Sequence, residues 1–278
     1  MLRLLDIELH KLKYSRSTKV LTITYFILLT FIALIASIEF NFGQINFRVA
    51  DQGIFNFPFI WHFNTYIAAL LKIFLAIVIV SMIANEYSER TLKQNLIDGL
   101  SKKEFIMSKF LIVVLLSALS TVFIFLLSLI LGLIFSDYNE VSIIFSDMEY
   151  LLAYFVKLPG FFAFCLFLSM LVKRSAFSLG FLFLWWVVEA VIFGVLEWVV
   201  FKGQDIAESI MQFFPLTAMS NLIKEPFTRF NAVQSAASTL GSEFEKDYGI
   251  HWYQILIVLI WTVLFIYLSY ALLKKRDL

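Results

Sequence analysis

Six long runs of apolar residues constrain this chain more than any other feature of its sequence. A bilayer core of ~30 Å requires ~20 apolar residues of helix, and each run reaches that length. Because lipid offers no partner to backbone N–H and C=O groups, each run is expected to be helical. The runs cover residues 20–38, 65–84, 110–135, 150–172, 176–200 and 252–273. The sequence therefore predicts an all-α, polytopic membrane protein with six transmembrane helices.

The composition favours a single transmembrane domain over residues 1–278. Hydrophobic residues make up 61% of the chain and charged residues 15%, whereas soluble domains contain ~45–50% and ~25%. A soluble domain of this length could not bury so much apolar surface. The formal net charge of +1 gives no indication of a nucleic-acid partner.

The positions of Lys and Arg predict which ends of the spans face the cytoplasm. Fifteen of the 22 basic residues lie before span one, between spans two and three, between spans four and five, or after span six. Only five lie in the opposite loops, which carry twelve of the 21 acidic residues. Trp61, Trp198 and Trp252 also fall at those opposite ends, where amphipathic rings prefer the membrane interface. We therefore expect both termini to be cytoplasmic.

Residues 1–19 precede the first span and contain a short amphipathic helix. Leucines recur there at helical spacing beside a polar row: Leu2, Leu5, Leu9 and Leu12. With its basic flank, this helix is expected to lie in the inner membrane interface. A helix packed against a partner protein is the alternative interpretation.

Residues 85–109 form the most informative of the predicted cytoplasmic segments. A leucine at every fourth position predicts a short helix with one apolar stripe: Leu92, Leu96 and Leu100. Gly99 then supplies a helix stop, and Ser101 with Glu104 matches the capping box that begins a new helix. The alternative is a solvated basic loop, which would not require the leucine repeat.

In this segment the chain resembles the ABC-2 type permeases, the transmembrane subunits of one class of ATP-binding cassette (ABC) transporters. Those permeases have an interfacial N-terminal helix, six spans, and a short cytoplasmic coupling helix between spans two and three. The positions that match their loop are Glu86, Tyr87, Thr91, Leu92, Lys93, Ser101 and Lys109. Many relatives have Gly before the Thr, where this chain has Arg90.

The resemblance implies that a separate ABC ATPase (nucleotide-binding) subunit holds ATP and Mg and takes the apolar face of the coupling helix into a cleft. The residues it implies for ATPase coupling are Glu86, Tyr87, Arg90, Thr91, Leu92, Lys93 and Leu96. It also implies a second permease subunit in a homo- or heterodimer, a prokaryotic cytoplasmic (inner) membrane, and export of a hydrophobic or amphipathic substrate.

Four charged residues lie inside the predicted spans: Lys72, Lys157, Glu189 and Glu197. Charged groups in hydrocarbon are costly and usually face a partner or a cavity. At ~1.5 Å per residue, the two lysines lie at a depth between those of the two glutamates. We expect Glu189 to pair with Lys72 or Lys157, and Glu197 is a second candidate for such a pair. Alternatively, the lysines extend to the outer interface and the glutamates face an outer vestibule.

The outer loop, residues 201–251, is long, and short helices that dip towards the interface are expected in it. An ordinary polar loop is the alternative.

No phosphate-binding loop, metal-binding histidine motif or catalytic triad is visible, so no catalytic residue, metal site or cofactor is expected on this chain. Three other functions stay open: an intramembrane enzyme that uses the Lys–Glu set, a secondary transporter, and a non-transporting anchor that transmits ATPase motion to an envelope machine.

Overall fold

The computed structural model describes residues 2–37, 39–42, 45–48, 53–202, 206–239 and 246–276 of the chain. Within these residues, six helical segments are long and apolar enough to cross a membrane: Arg16–Ile35, Phe59–Ser88, Lys102–Phe135, Val141–Val172, Ser175–Val200 and Trp252–Lys274. The prediction of a helical, polytopic membrane protein with six spans is confirmed. Ile38, the predicted end of span one, and parts of loop 201–251 lie outside the described residues.

The N-terminal part of the chain contains two helices and a small hairpin. Helix α1 (Leu2–Tyr14) leads almost directly into α2 (Arg16–Ser37), the first span. Strands β1 (Glu39–Phe42) and β2 (Ile45–Arg48) then pair antiparallel. The apolar pattern of the sequence does not predict this hairpin, which is the one departure from helical structure in the described elements.

The second span consists of two helices, α3 (Phe59–Leu71) and α4 (Ile73–Ser88), separated by a single residue. That residue is Lys72, whose Nζ donates a hydrogen bond of 3.0 Å to the carbonyl oxygen of Ala69. The Lys72 backbone stays in the right-handed helical region, and its carbonyl oxygen accepts from the Ala76 amide at 2.9 Å, so the two helices form one span.

The segment after span two contains the predicted short helix, α5 (Thr91–Ile97), followed by the long helix α6 (Lys102–Phe135). Gly99 adopts φ +95°, a backbone conformation that only glycine reaches without steric strain. The Oγ of Ser101 accepts from the Glu104 amide, and the Glu104 carboxylate accepts from the Ser101 amide at 2.9 Å. The predicted glycine stop and capping box are both confirmed.

The fourth span is the central helix of the bundle. After the single turn α7 (Val141–Ile144), helix α8 (Glu149–Val172) packs against α3, α4, α6 and the two spans that follow it. Of its most apolar stretch, 78% is buried within the protein, compared with 11% in the fifth span. Helix α8 therefore forms the core, while the fifth span presents most of its side chains outwards.

The remaining helices complete the bundle and cover one end of it. Helix α9 (Ser175–Val195) continues into a π-helical turn (Leu196–Val200). Short helices, a 3₁₀ turn and the sixth span follow: α10 (Ile206–Met211), α11 (Pro215–Asn221), Phe227–Arg229, α12 (Asn231–Thr239) and α13 (Trp252–Lys274). Short helices are therefore present where they were expected in the outer loop, and their depth in the membrane stays a prediction.

Three hydroxyl groups form a closed ring in the middle of the bundle. The Tyr25 hydroxyl lies 2.6 Å from Ser120 Oγ and 2.7 Å from the Tyr154 hydroxyl, and the last two are 2.7 Å apart. All three side chains are buried. Because each hydroxyl can donate one hydrogen bond and accept another, the ring satisfies all three groups away from water. It joins α2, α6 and α8.

The two ends of the bundle differ in charge and in structure. We call the end that carries α1, α5 and the two chain termini the basic end, because the predicted cytoplasmic Lys and Arg residues lie there. The other, which carries α7, α10, α11 and α12, is called the opposite end.

Candidate functional site

A group of four charges, three of them buried, lies at the basic end, where α1, α4, α5 and α6 meet. Glu86, near the end of α4, accepts hydrogen bonds on Oε1 from Lys11 Nζ at 2.8 Å and from Lys109 Nζ at 2.5 Å. Lys109 Nζ also donates to Glu8 Oε2 at 2.6 Å. We call Glu8, Lys11, Glu86 and Lys109 the ion cluster.

Burial makes the ion cluster sensitive to the loss of any one member. Lys109 is 0% exposed, and Glu8 and Glu86 are each 3% exposed. Breaking a buried ion pair is strongly destabilising because it leaves the remaining charge without compensation. The cluster contains two positive and two negative groups, so its formal charges balance.

Lys11 is the member of the ion cluster that reaches solvent, with 38% of its side chain exposed. Partial burial lowers the pKa of Lys11, but the hydrogen bond and charge of Glu86, together with the charge of Glu8, raise that pKa by more. The net effect is a raised pKa, so Lys11 stays charged at neutral pH.

The other oxygen of the Glu86 carboxylate holds α5. Glu86 Oε2 accepts from Thr91 Oγ1 at 2.6 Å and from Asn95 Nδ2 at 3.3 Å. Arg90, just before the helix, has φ +58°, a left-handed conformation that glycine adopts more easily. A glycine at this position would adopt the observed conformation at a lower energetic cost than Arg90 does.

The apolar stripe of α5 faces the bundle, contrary to the expectation that it fits a cleft on a partner. Leu92 is buried in the core, and Leu96 and Leu100 pack against the core. Tyr87 also packs there. The reason is that the hydrogen bonds from Thr91 and Asn95 to Glu86 fix the rotation of α5, which turns its leucines inwards.

The exposed face of α5 consists of other residues. Ile97 is 71% exposed, and Lys93, Gln94 and Asp98 are exposed beside it. Of the residues expected at an ATPase contact, Arg90 and Lys93 are therefore exposed, Thr91 is half-buried, and Glu86 and Leu92 are inaccessible. Sequence reasoning missed Ile97 because it lies outside the leucine repeat; an apolar residue on the polar side of an amphipathic helix is the signal that could have identified it.

Arg276, after the end of α13, forms hydrogen bonds to residues at the ends of α4 and α8. Its guanidinium donates to the Tyr87 hydroxyl at 3.0 Å and to the carbonyl oxygens of Met170 at 2.6 Å and Leu171 at 3.1 Å. Lys102 Nζ in turn donates to the carbonyl oxygen of Arg276 at 2.8 Å. The ends of α4 and α8 and the start of α6 are therefore joined.

A large cavity occupies the other half of the bundle, with a volume of about 1120 Å³. Its lining includes three of the four charged residues that were singled out inside the spans: Lys72, Lys157 and Glu189. We call it the lysine cavity. Glu197 lies in the π-helical turn after α9, and its Oε2 is buried without a hydrogen-bond partner.

The expected Lys–Glu pairing is absent from this structure. In the part of the chain that the structure describes, no ion pair joins any two of Lys72, Lys157, Glu189 and Glu197. Glu189 instead accepts from the Trp185 indole and from the backbone amides of Leu216 and Thr217 at 2.7, 3.0 and 2.8 Å. The carboxylate is therefore already compensated by the start of α11.

Comparison with known families decides the class of the protein. A family model described as ABC-2 family transporter protein matches residues 3–278, nearly the whole chain. The chain belongs to the ABC-2 transporter family. No curated protein gives a significant match to it.

Membership makes this ABC-2 permease a membrane component of a transporter that is not itself catalytic. It also implies an ABC ATPase as a partner and a membrane as the setting. The resemblance that was inferred from residues 85–109 is thereby confirmed at the level of the family.

Proposed function

We propose that this permease exports a hydrophobic or amphipathic substrate, and that α5 couples it to a separate cytoplasmic ABC ATPase. The ATPase would hold ATP and Mg, and two permease subunits, identical or related, would form the membrane part. The termini would lie in the cytoplasm of a prokaryotic cell, on the side of the inner membrane to which the basic end points.

The way in which α5 is held is the observation that carries this proposal. On the side of α5 that faces the bundle, the Glu86 carboxylate accepts hydrogen bonds from Thr91 and Asn95. The same carboxylate contacts Lys11 and Lys109. A displacement of α5 would therefore reach α4, α1 and α6 through one carboxylate. Rigid-body movement of packed helices is the usual way in which such a displacement changes the access of a site.

The exposed side of α5 supplies a contact surface for a partner. Ile97 is a large apolar side chain with 71% of its surface exposed, between polar neighbours. An apolar anchor within a polar rim is the usual composition of a protein–protein contact. We expect Ile97 to enter a pocket on the ATPase, with Arg90 and Lys93 at the rim.

The lysine cavity favours transport over the alternative functions. A non-transporting anchor does not need a cavity of about 1120 Å³. An intramembrane enzyme that used the Lys–Glu set would need Glu189 as a free acid or base, whereas this carboxylate is already bound by Trp185 and α11. The cavity therefore supports a site for cargo.

Replacement of Ile97 tests the docking of α5. The permease would be co-expressed with a candidate ABC ATPase, and their binding and ATP hydrolysis would be measured. In the Ile97→Asp variant, a charge replaces the apolar anchor, so we expect binding at least ~10-fold weaker and hydrolysis no longer stimulated by the permease.

Val141→Asp is the matched control, because Val141 is 70% exposed and lies in α7 at the opposite end. This variant should bind the ATPase like the wild type. Equal binding by the wild type and both variants would contradict the role of α5.

A further inference from the structure

Lys157 is a buried lysine with few polar contacts. Its side chain lies in α8 with a relative exposure of 4%. Its Nζ makes one long hydrogen bond, 3.4 Å to the carbonyl oxygen of Ser220. An ammonium group carries three donors, and the described part of the chain provides no carboxylate within ion-pair distance of this one.

Lys72 lines the same cavity and has no carboxylate partner among the described residues either. Its Nζ donates to the carbonyl oxygen of Ala69 at 3.0 Å and lies 4.6 Å from the centre of the Phe161 ring. Lys72 and Lys157 both line this cavity. Two lysines therefore line one space, and neither has an ion-pair partner among the described residues.

The acidic groups around the lysine cavity are engaged elsewhere or exposed. Glu189 accepts four hydrogen bonds, including one of 2.8 Å from Thr217 Oγ1. At the rim, Glu225 pairs with Lys246 at 2.7 Å, and Asp247 pairs with His251 at 2.6 Å. Glu208 is exposed.

An apolar surface continues from the two lysines towards the outside of the bundle. Phe183, Trp186 and Phe193 of α9 line the cavity and are 64%, 56% and 38% exposed. Since the fifth span is the least buried of the six, this wall also borders the lipid. A long apolar chain could lie along it with one end at the lysines.

We propose that the lysine cavity binds an anionic amphiphile, with an ionised carboxylate or phosphate headgroup between Lys72 and Lys157 and its apolar chain along α9. A buried charge is stable only when it is paired, and such a headgroup supplies the missing counter-ion. The cavity volume exceeds the ~300–1,000 Å³ of pockets for drug-sized ligands, so it accommodates a long-chain molecule. As an assignment of the cargo, this inference rests on the proposed transport function.

Competition binding to the purified permease alone tests the proposal. A photoactivatable oleate analogue with a diazirine in its chain would label the protein in detergent, and unlabelled oleate, oleoyl lysophosphatidate, oleyl alcohol and oleylamine would compete. We expect at least one of the two anions to compete ~10-fold better than the alcohol and the amine, because charge-assisted hydrogen bonds are lost in the neutral and cationic compounds. The stronger anion identifies the headgroup class.

Lys157→Met should reduce the affinity for that anion ~10-fold or more. Lys13→Met is the matched control, since Lys13 is an exposed lysine of α1 at the basic end, and it should bind like the wild type. Equal competition by the anions and the alcohol overturns the proposal, and so does unchanged affinity in Lys157→Met. If Lys157→Met does not fold, the ranking of competitors on the wild type decides alone.

The outcome is independent of the coupling proposal, because the assay contains no ATPase. Loss of anion selectivity with intact Ile97-dependent docking would reject the cargo class and keep the transporter mechanism. Intact anion selectivity with docking that does not depend on Ile97 would reject the docking surface and keep the binding site.

Discussion

Lys109 holds together parts of the chain that are far apart in sequence. It contacts Glu8, 101 positions earlier, and Glu86, 23 positions earlier, and it is fully buried. The hydrophobic pattern of α6 places Lys109 at the start of an apolar run, where an extended lysine would be expected to reach water. It does not, because two carboxylates from other helices lie within hydrogen-bond distance of its ammonium group.

Lys109→Met should therefore destabilise the permease by about 3–5 kcal/mol, since Glu8 and Glu86 would be left buried with only Lys11 as a cationic partner. The measurement is an equilibrium unfolding titration with a denaturing detergent. Lys103→Met, an exposed lysine six positions earlier, is the control and should change stability by less than ~0.5 kcal/mol. Similar losses in the two variants would show that the ion cluster does not stabilise the fold.

At the scale of elements, the segment between α4 and α6 shows what local sequence can determine. Gly99 and the Ser101–Glu104 capping box could be predicted because each depends on residues at most three positions apart. The direction of the α5 leucines could not be predicted, because it depends on bonds from Thr91 and Asn95 to Glu86. Helical periodicity identifies an apolar face but not the surface that covers it.

The same distinction applies to the charges inside the spans. Their depth follows from sequence position, since helix rise is constant. Their partners do not: Glu189 is bound by Leu216 and Thr217, from a loop whose path the sequence does not give.

The ion pair between Glu225 and Lys246 predicts that the stability of the fold depends on pH. Burial raises the pKa of Glu225, but the hydrogen bond from Lys246, with those from Thr228, lowers it by more, so the net pKa is below the ordinary 4.5. The pairing therefore contributes stability above that ordinary value and loses it as the pH falls through the lowered folded-state pKa. Because the pair is partly exposed, the contribution is about 1 kcal/mol or less.

The difference in unfolding midpoint between the wild type and Glu225→Gln should accordingly be largest near neutral pH and disappear in acid. Thermal unfolding over a pH series measures it. Glu140→Gln at the start of α7 serves as the control and should show no such pH-dependent difference, because the exposed Glu140 side chain does not cap that helix. A constant difference at all pH values would contradict the assigned pairing.

At the scale of the whole molecule, the six spans could be predicted because hydrophobic length is a property of each segment alone. The lysine cavity could not, since residues of α3, α8, α9, α10, α11 and α13 contribute to its lining and the side-by-side arrangement of these helices is set by packing. The sidedness of the bundle in the membrane stays a prediction from the charge distribution.

Single cysteines test that sidedness directly. The native Cys165 is 1% exposed and should not react with a membrane-impermeant maleimide. Ile97→Cys, at the basic end, should be labelled only from the cytoplasmic side, and Val141→Cys only from the other side. Oriented membrane vesicles, right-side-out and inside-out, give the measurement. Labelling with the opposite sidedness would reverse the proposed orientation.

The ring formed by the hydroxyls of Tyr25, Ser120 and Tyr154 limits how the bundle can change shape. Separation of any of the three helices would leave polar groups bare in hydrocarbon, where no solvent can replace the lost bonds. During an alternating-access cycle, α2, α6 and α8 should consequently travel as one body. The relative movement is then left to the fifth span and to α3, the first half of span two, which line the cavity from the other side.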